Sequence, residues 1–334
     1  MWANCCVYFL VTTGVSYLFN NLLLSPSLEI MNGAGKVVHQ FVSGLRAEEF
    51  FVQLRRRANY LRKFIPISIR HKFTSFGRFV PPSSSYPKDD IHYITRDNTN
   101  FKINRSDYVQ WRIFYGVRDN ALRCAKKFLS NDSIVLDIGA NCGAFSLKLA
   151  EYALRNKYSN LTIHAFEPNP VVYKSYKSNL SLNPSFQKII SVHPIGFGSE
   201  CGRKAFQYPM SNSGVGRVLQ LGDSADSTVS IERLDDFITF INPPSIAFIK
   251  LIVEGYEPEV LKGGWNTIKK FKPPIFFEAT DEWYAENNSS VNEVLSKLKE
   301  LGYQFQSELH NEMVPYDPTI FASVYQFNVL AIPQ

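Results

Sequence analysis

An apolar run that closes on an acid and then turns through glycines constrains this chain more than any other segment: Ile134-Val135-Leu136-Asp137-Ile138-Gly139-Ala140-Asn141-Cys142-Gly143-Ala144-Phe145. Val135 and Leu136 suit a strand buried on both faces, and Ser146 to Ala150 begins an amphipathic helix. Between them, Gly139 and Gly143 allow a tight turn and a close approach of backbone to a ligand. The expectation is a ligand loop at the carboxyl end of a parallel strand. Its Gly-x-x-x-Gly spacing, with no phosphate-gripping lysine, matches neither the Walker loop nor the dinucleotide fingerprint.

A second short apolar strand ending in an acid follows at Thr162-Ile163-His164-Ala165-Phe166-Glu167-Pro168-Asn169-Pro170. Glu167 lies 30 residues after Asp137, a spacing that fits one strand-helix-strand unit. An acid there can accept both hydroxyl hydrogens of a ribose. Alternatively, it caps the next helix, because acids favour helix N-termini.

Together these segments resemble a class I S-adenosylmethionine-dependent methyltransferase, and the specific likeness is to the FkbM family. The motifs that carry it are Leu136-Asp137-Ile138-Gly139-Ala140-Asn141-x-Gly143 and Ala165-Phe166-Glu167-Pro168, then Asn179-Leu180-x-Leu182-Asn183, Asn212-Ser213-Gly214 and Leu234-Asp235-Asp236-Phe237. The run from Phe248 to Gly263 and Lys272-Pro273-Pro274-Ile275-x-x-Glu278 complete the series, which spans about residues 105–305 in the family's order. The resemblance implies an α/β fold, a doubly wound and mostly parallel Rossmann-like sheet, with S-adenosylmethionine as methyl donor. It implies a donor site at Asp137, Gly139, Asn141, Gly143 and Glu167, and a hydroxyl of a sugar, glycan, lipid or other small metabolite as acceptor. On this reading Asp137 orients the glycine loop or approaches the donor's amino group; otherwise its carboxylate is satisfied by loop amides.

One position departs from the family. Where the family reads Lys-Ile-Asp-Val-Glu-Gly, this chain reads Lys250-Leu251-Ile252-Val253-Glu254-Gly255, so Ile252 replaces an acid expected to face the ligand crevice. An alcohol is a poor nucleophile while neutral, and a nearby base or metal helps it react. The catalytic candidates are therefore the neighbours Lys250, Glu254 and Glu278. Lys250 lies in an otherwise apolar strand, where an unpaired charge is costly, so it pairs with an acid or meets the ligand. Glu254 equally suits a helix cap and Glu278 a strand end, while His193 suits a structural role better than that of a base. If the neighbours do not compensate for Ile252, the alternative is a cofactor-binding but catalytically silent module, tethered to a membrane in one version.

With 334 residues, 45% of them hydrophobic, the chain has ample material for a core. The formal charge of +6 hides an asymmetry, because residues 1–130 hold 19 Lys and Arg against 8 Asp and Glu. Much of this lies in Leu54-Arg55-Arg56-Arg57-Ala58-Asn59-Tyr60-Leu61-Arg62-Lys63-Phe64-Ile65, an apolar stripe with basic flanks, followed by Arg70, His71 and Lys72. That pattern suits a helix packed on the enzyme domain or lying on a membrane surface. No nucleic-acid module accompanies the charge, so no nucleic-acid partner is expected.

Residues 5–24 carry no charge and are mostly apolar, just long enough to span a bilayer. Positive charge on their far side would leave the enzyme in the cytoplasm. Alternatively, Met31 is the true start and residues 1–30 are an upstream over-extension. The five cysteines, Cys5, Cys6, Cys124, Cys142 and Cys201, have no metal-ligand spacing and suit reduced thiols. No metal is expected.

The expected organisation is a possible anchor at 1–30, a basic, partly helical extension with a Pro/Ser linker at 31–90, and a methyltransferase domain at 91–334 with its core at about 132–305. A hairpin is expected near Ile91–Ile94 and Phe101–Ile103, with helical spacing from Val109 to Phe128. Strands are expected at 134–137, 162–166, 189–194, 247–252 and 275–277, with a closing pair near 303–305 and 327–332. Helices are expected at 144–155, 171–182, 258–271 and 291–301.

Overall fold

The computed structural model describes residues 48–49, 52–53, 80–208, 212–219, 227–309, 312–321 and 324–334. The apolar segment 5–24, the basic segment 54–72, Cys5 and Cys6 lie outside these residues, and so do the alternatives for residues 1–30. Among the described residues, no helix is long and apolar enough to cross a membrane.

In chain order, hairpin strands β1 (Ile91–Arg96) and β2 (Thr99–Asn104) precede helices α1 (Tyr108–Tyr115) and α2 (Asn120–Ala125). Then come β3 (Ile134–Ile138), α3 (Ala144–Arg155), β4 (Thr162–Phe166), α4 (Pro170–Ser181) and β5 (Ile190–His193). Four short strands follow: β6 (Gly196–Phe197), β7 (Gly202–Gln207), β8 (Arg217–Val218) and β9 (Ser227–Glu232). Next are α5 (Leu234–Ile241), β10 (Phe248–Leu251), α6 (Glu257–Lys262), α7 (Trp265–Phe271), β11 (Ile275–Ala279), α8 (Asp281–Glu286) and α9 (Val291–Glu300). The described chain closes with β12 (Tyr303–Leu309), β13 (Glu312–Pro315), α10 (Pro318–Phe321) and β14 (Phe327–Pro333).

The central sheet has eight strands in the order β13-β12-β14-β11-β10-β3-β4-β5. From β11 to β5 the neighbours are parallel, and β14, β12 and β13 join antiparallel at the other side. The winding reverses between β3 and β10, and such a switch opens a crevice beyond the strands' carboxyl ends. Alternation divides the two faces. Leu136, Ile138, Ile249, Leu251, Ile275 and Phe277 join one continuous core with α5, α6, α7 and α9. Against the opposite face, Phe248 stacks between Phe128 and Phe145, and Asp137 and Lys250 sit side by side as directly paired residues.

The hairpin forms as expected, and two asparagines of the Asn179–Asn183 motif fasten it. Asn183 Oδ1 accepts from Asn100 N at 2.9 Å, and Asn179 Oδ1 accepts from Lys102 N at 2.8 Å. The helical stretch after Val109 is two helices, because Gly116 adopts φ 71° and ends α1. The helix expected over 258–271 is likewise divided at Gly263 and Gly264. A Cβ on Gly263 would lie 2.0 Å from Gly198 O, and one on Gly264 would lie 2.7 Å from Leu234 Cδ2. The four-stranded sheet β6-β9-β7-β8 is an addition that the strand pattern did not announce. Two of its strands are two residues long, and among the described residues Phe206, Val229 and Ile231 build its own cluster of buried apolar residues.

Candidate functional site

A cavity of about 340 Å³ opens at the carboxyl ends of β3 and β10, bounded by the glycine loop on one side and Ile252 to Glu254 on the other. Asp137 is fully buried beneath the glycine loop and is not among the residues lining the cavity, and, contrary to one expectation, it is not satisfied by loop amides. Its Oδ1 accepts from Lys250 Nζ at 2.9 Å and its Oδ2 from Ser146 Oγ at 2.5 Å. Lys250 also donates to Gly139 O at 2.7 Å. The apolar strand tolerates this lysine because a cross-strand carboxylate and a loop carbonyl take its protons.

The two glycines are required, though by neighbouring protein atoms. Gly139 has φ +77°, and a Cβ there would lie 1.8 Å from Ile252 O. Gly143 has φ +88°, and a Cβ would lie 2.5 Å from the Tyr176 ring. The glycines thus close the loop against the neighbouring strand end and helix, which leaves the start of α3 at the cavity. Gly143 offers α3 no side-chain cap, and Ala144 and Phe145 line the cavity. Although the Ala144 amide meets the Cys142 thiol, this end presents a positive dipole to a carboxylate.

Glu167 is 7% exposed and lines the same cavity. Its Oε2 accepts from Asn141 N and its Oε1 from Asn169 N, both at 2.9 Å. It does not cap α4, because Asn169 does so through Val171 N. Each carboxylate oxygen keeps a lone pair for a further donor. Burial pushes the carboxyl up to about 7, against the pull of the two amides.

Asn141, at φ 51°, uses its side chain to hold a strap over the loop. Its Nδ2 donates to Ser213 O at 2.9 Å, and Ser213 N in turn donates to Asp107 Oδ2 at 2.7 Å. Asp107 also caps α1 through Gln110 N at 2.9 Å. This one buried acid therefore joins α1, the Asn212–Gly214 turn and the glycine loop. Asp107→Ala should cost about 1 kcal/mol for the lost cap alone. It should also raise amide hydrogen exchange at Ser213; unchanged protection there would show that the clasp does not hold the strap.

On the opposite wall, Glu254 adopts φ 55° and Glu278 lies within β11. Glu254 is not the helix cap, since α6 starts after Tyr256 with no side-chain cap, while the loop amides Val253 N and Gly255 N donate to Glu257 at 2.8 and 3.0 Å. Burial, with Glu278 and Glu257 nearby, pushes Glu254 up to about 9. Burial pushes Glu278 up as well, opposed by a hydrogen bond from Gln326 and by Arg112 and Lys250. Ile252 lies between these acids with its side chain at the cavity. Among the described residues, no three His, Cys, Asp or Glu converge to hold a metal ion.

His193 is not among the cavity residues. It stacks on Phe166 and His164, with 3.1 Å between His164 Nδ1 and its Nε2, and burial lowers its pKa. Sequence reasoning did not find Asp107 or Glu257. Asn-Ser-Gly was visible as a motif, but its partner Asp107 lies 106 residues away and only the fold joins them.

A family model described as the methyltransferase FkbM domain matches residues 137–305. Methyltransferase 1 of Beauveria bassiana is 27% identical over 155 residues, covering 40% of this chain and 59% of that protein. The chain spans a similar share, 61%, of the methyltransferase sdnD of Sordaria araneosa, again at 27% identity. The hexuronic acid methyltransferase AglP of Haloferax volcanii is 27% identical over 194 residues, 57% of this chain and 72% of that protein. A crystal structure of an FkbM methyltransferase from Methylobacillus flagellatus aligns at 19% identity with a TM-score of 0.39, covering 61% of this chain and 44% of that one.

Proposed function

This chain belongs to the FkbM methyltransferase family and takes its methyl group from S-adenosylmethionine, and we propose that it methylates a hydroxyl oxygen of a sugar, glycan or similar hydroxylated metabolite. The hexuronic acid methyltransferase relative supports a sugar-like acceptor. The observation that carries the reading is the division of one cavity into two chemically distinct walls. One wall suits the donor: Glu167 for the ribose hydroxyls, and the open end of α3 for the carboxylate of the methionine part. Gly139, Gly143 and Asn141 shape that loop, and Asp137 with Lys250 braces it from below.

The other wall suits the acceptor. Bound S-adenosylmethionine supplies an electrophilic methyl on a positive sulfur. The chain's own tasks are to hold a hydroxyl oxygen about 3 Å from that carbon and to accept its proton. Glu254 and Glu278 flank Ile252 and are the carboxyls available for that proton. Ile252 itself contributes shape and dryness. Lys250 is committed to Asp137 and Gly139, which makes it a positioning residue in this scheme.

The test measures S-adenosylhomocysteine formed with S-adenosylmethionine and a panel of neutral, acidic and lipid-linked glycosides. Turnover with a hydroxylated acceptor, reduced at least tenfold in Glu254→Gln or Glu278→Gln, is expected. Cofactor binding with turnover appearing only in Ile252→Asp would overturn the reading in favour of a silent binding module. Separately, Glu167→Ala should weaken S-adenosylmethionine binding by about 1–3 kcal/mol, the range for hydrogen bonds to a charged group. Because the ionised carboxyl is the acceptor, affinity should also fall as pH drops below about 7. Calorimetry that found unchanged affinity in the variant would remove the ribose assignment.

A further inference from the structure

Ile252 leaves the end of β10 without an acid, yet two carboxyls converge on that place. Leu251 pairs with Phe277, so Ile252 and Glu278 follow at one level on neighbouring strands, on the face shared by Lys250 and Phe276. Glu254 comes two residues later, and all three line the cavity. Oε2 of Glu278 is buried with no hydrogen-bond partner. An ionised carboxylate oxygen in that condition is costly.

Counter-charge near the two carboxyls is limited to a few residues, of which Arg112 lines the same cavity. Glu254 faces Glu278, Glu257, Lys250 and Arg217. Glu278 faces Lys250 and Arg112 and receives a hydrogen bond from Gln326. Of the cations, Lys250 is held by Asp137 and Gly139, and Arg217 pairs with Glu286 at 3.3 Å and lies over Trp283. Arg112 is an exposed residue of α1, close to the Tyr108 ring. Glu257 is occupied by two loop amides. Two half-buried like carboxyls on one cavity wall, neither of them in an ion pair with those cations, retain a proton between them.

Resting on the donor and acceptor assignment above, we propose that Glu254 and Glu278 form a proton-storing pair which gives up its proton when the cationic donor binds, so that cofactor binding itself creates the base. The O–H bond of one carboxyl breaks and the proton passes to solvent, leaving a carboxylate in the cavity that would hold the positively charged donor. That carboxylate then accepts the acceptor's hydroxyl proton as the oxygen–carbon bond forms and the carbon–sulfur bond breaks. The sulfur is left as a neutral thioether, and the pair holds its proton again.

S-adenosylhomocysteine tests this directly, because it shares the ribose, base and amino acid parts and lacks only the methyl group and the positive charge on sulfur. Proton linkage at Glu167 is therefore common to both ligands and cancels in their comparison. Each ligand is titrated into the full chain by calorimetry at pH 6.5, where both α-amino groups are protonated, in two buffers of different ionisation enthalpy. Beyond the release that Glu167 contributes equally to both, up to about one proton more is expected with S-adenosylmethionine than with S-adenosylhomocysteine. In Glu254→Gln and Glu278→Gln, both ligands should still bind and the difference should vanish. Equal release with the two ligands, or a difference that persists in the double variant, would overturn the pair while leaving the donor site intact. Failure of the wild-type chain to bind either ligand would overturn the donor site and the pair with it.

Discussion

Gly139→Ala should abolish S-adenosylmethionine binding and cost about 3–5 kcal/mol of stability, among the largest effects available to a one-carbon change. Two costs add. The residue sits at φ +77°, where a Cβ strains the backbone by about 1–2 kcal/mol. The new carbon would also lie 1.8 Å from Ile252 O and 2.9 Å from Ile252 C. Neither side can give way cheaply: Ile252 N donates to Ile138 O at 3.1 Å, Gly139 N donates to Phe166 O at 3.1 Å, and Lys250 grips Gly139 O. Gly302→Ala is the control, because Gly302 has φ +85° with Lys272 Nζ, at 3.8 Å, the one atom near its missing Cβ. The control should show the conformational cost alone. Chemical denaturation and calorimetric titration of both variants check this, and equal losses would show that Ile252 yields.

The second large effect is expected at Lys250. Lys250→Met leaves the carboxylate of Asp137, which is 0% exposed, with Ser146 as its remaining partner. Breaking a buried pair from one side costs about 3–5 kcal/mol. For a domain of this size that lowers Tm by on the order of 10 °C. The double variant Asp137→Asn/Lys250→Met removes both charges and should recover much of the loss. A Lys250→Met protein within about 1 kcal/mol of wild type would mean that the ion pair does not brace the loop. The double variant also separates roles, since restored stability with restored cofactor affinity marks Lys250 as structural.

Much of this architecture was legible because its signals are local. A parallel strand buried on both faces must be a short apolar run, so β3 and β4 stood out at Ile134 and Thr162. The helix from Ala144 to Arg155 declared itself by its apolar spacing. Less legible were breaks set by distant neighbours. Nothing local divides 258–271 except two glycines, and the reason for them is the carbonyl of Gly198 and the side chain of Leu234. The small sheet β6-β9-β7-β8 escaped notice because two of its strands are two residues long, too short for a period to appear.

The candidate site divides in the same way. Residue types at strand ends named Asp137, Glu167, Lys250, Glu254 and Glu278, since charged groups at the ends of apolar strands need partners or ligands. Which of them would meet was another matter. Lys250 and Asp137 are 113 residues apart, and their pairing follows from the register of β10 on β3. Glu254 was expected as a possible helix cap, but α6 has no side-chain cap, and Glu257 takes the loop amides because that depends on where the turn after β10 points them.

By itself, then, the sequence determined the class of fold, the family and the donor loop, because strand burial, helical spacing and a glycine turn are written in consecutive residues. Tertiary structure alone decided that the glycines serve packing against Ile252 and Tyr176, that Lys250 braces Asp137, and that two half-buried carboxyls stand beside the missing acid. Those outcomes rest on strand register and on desolvation, and both exist only once residues distant in sequence are packed together.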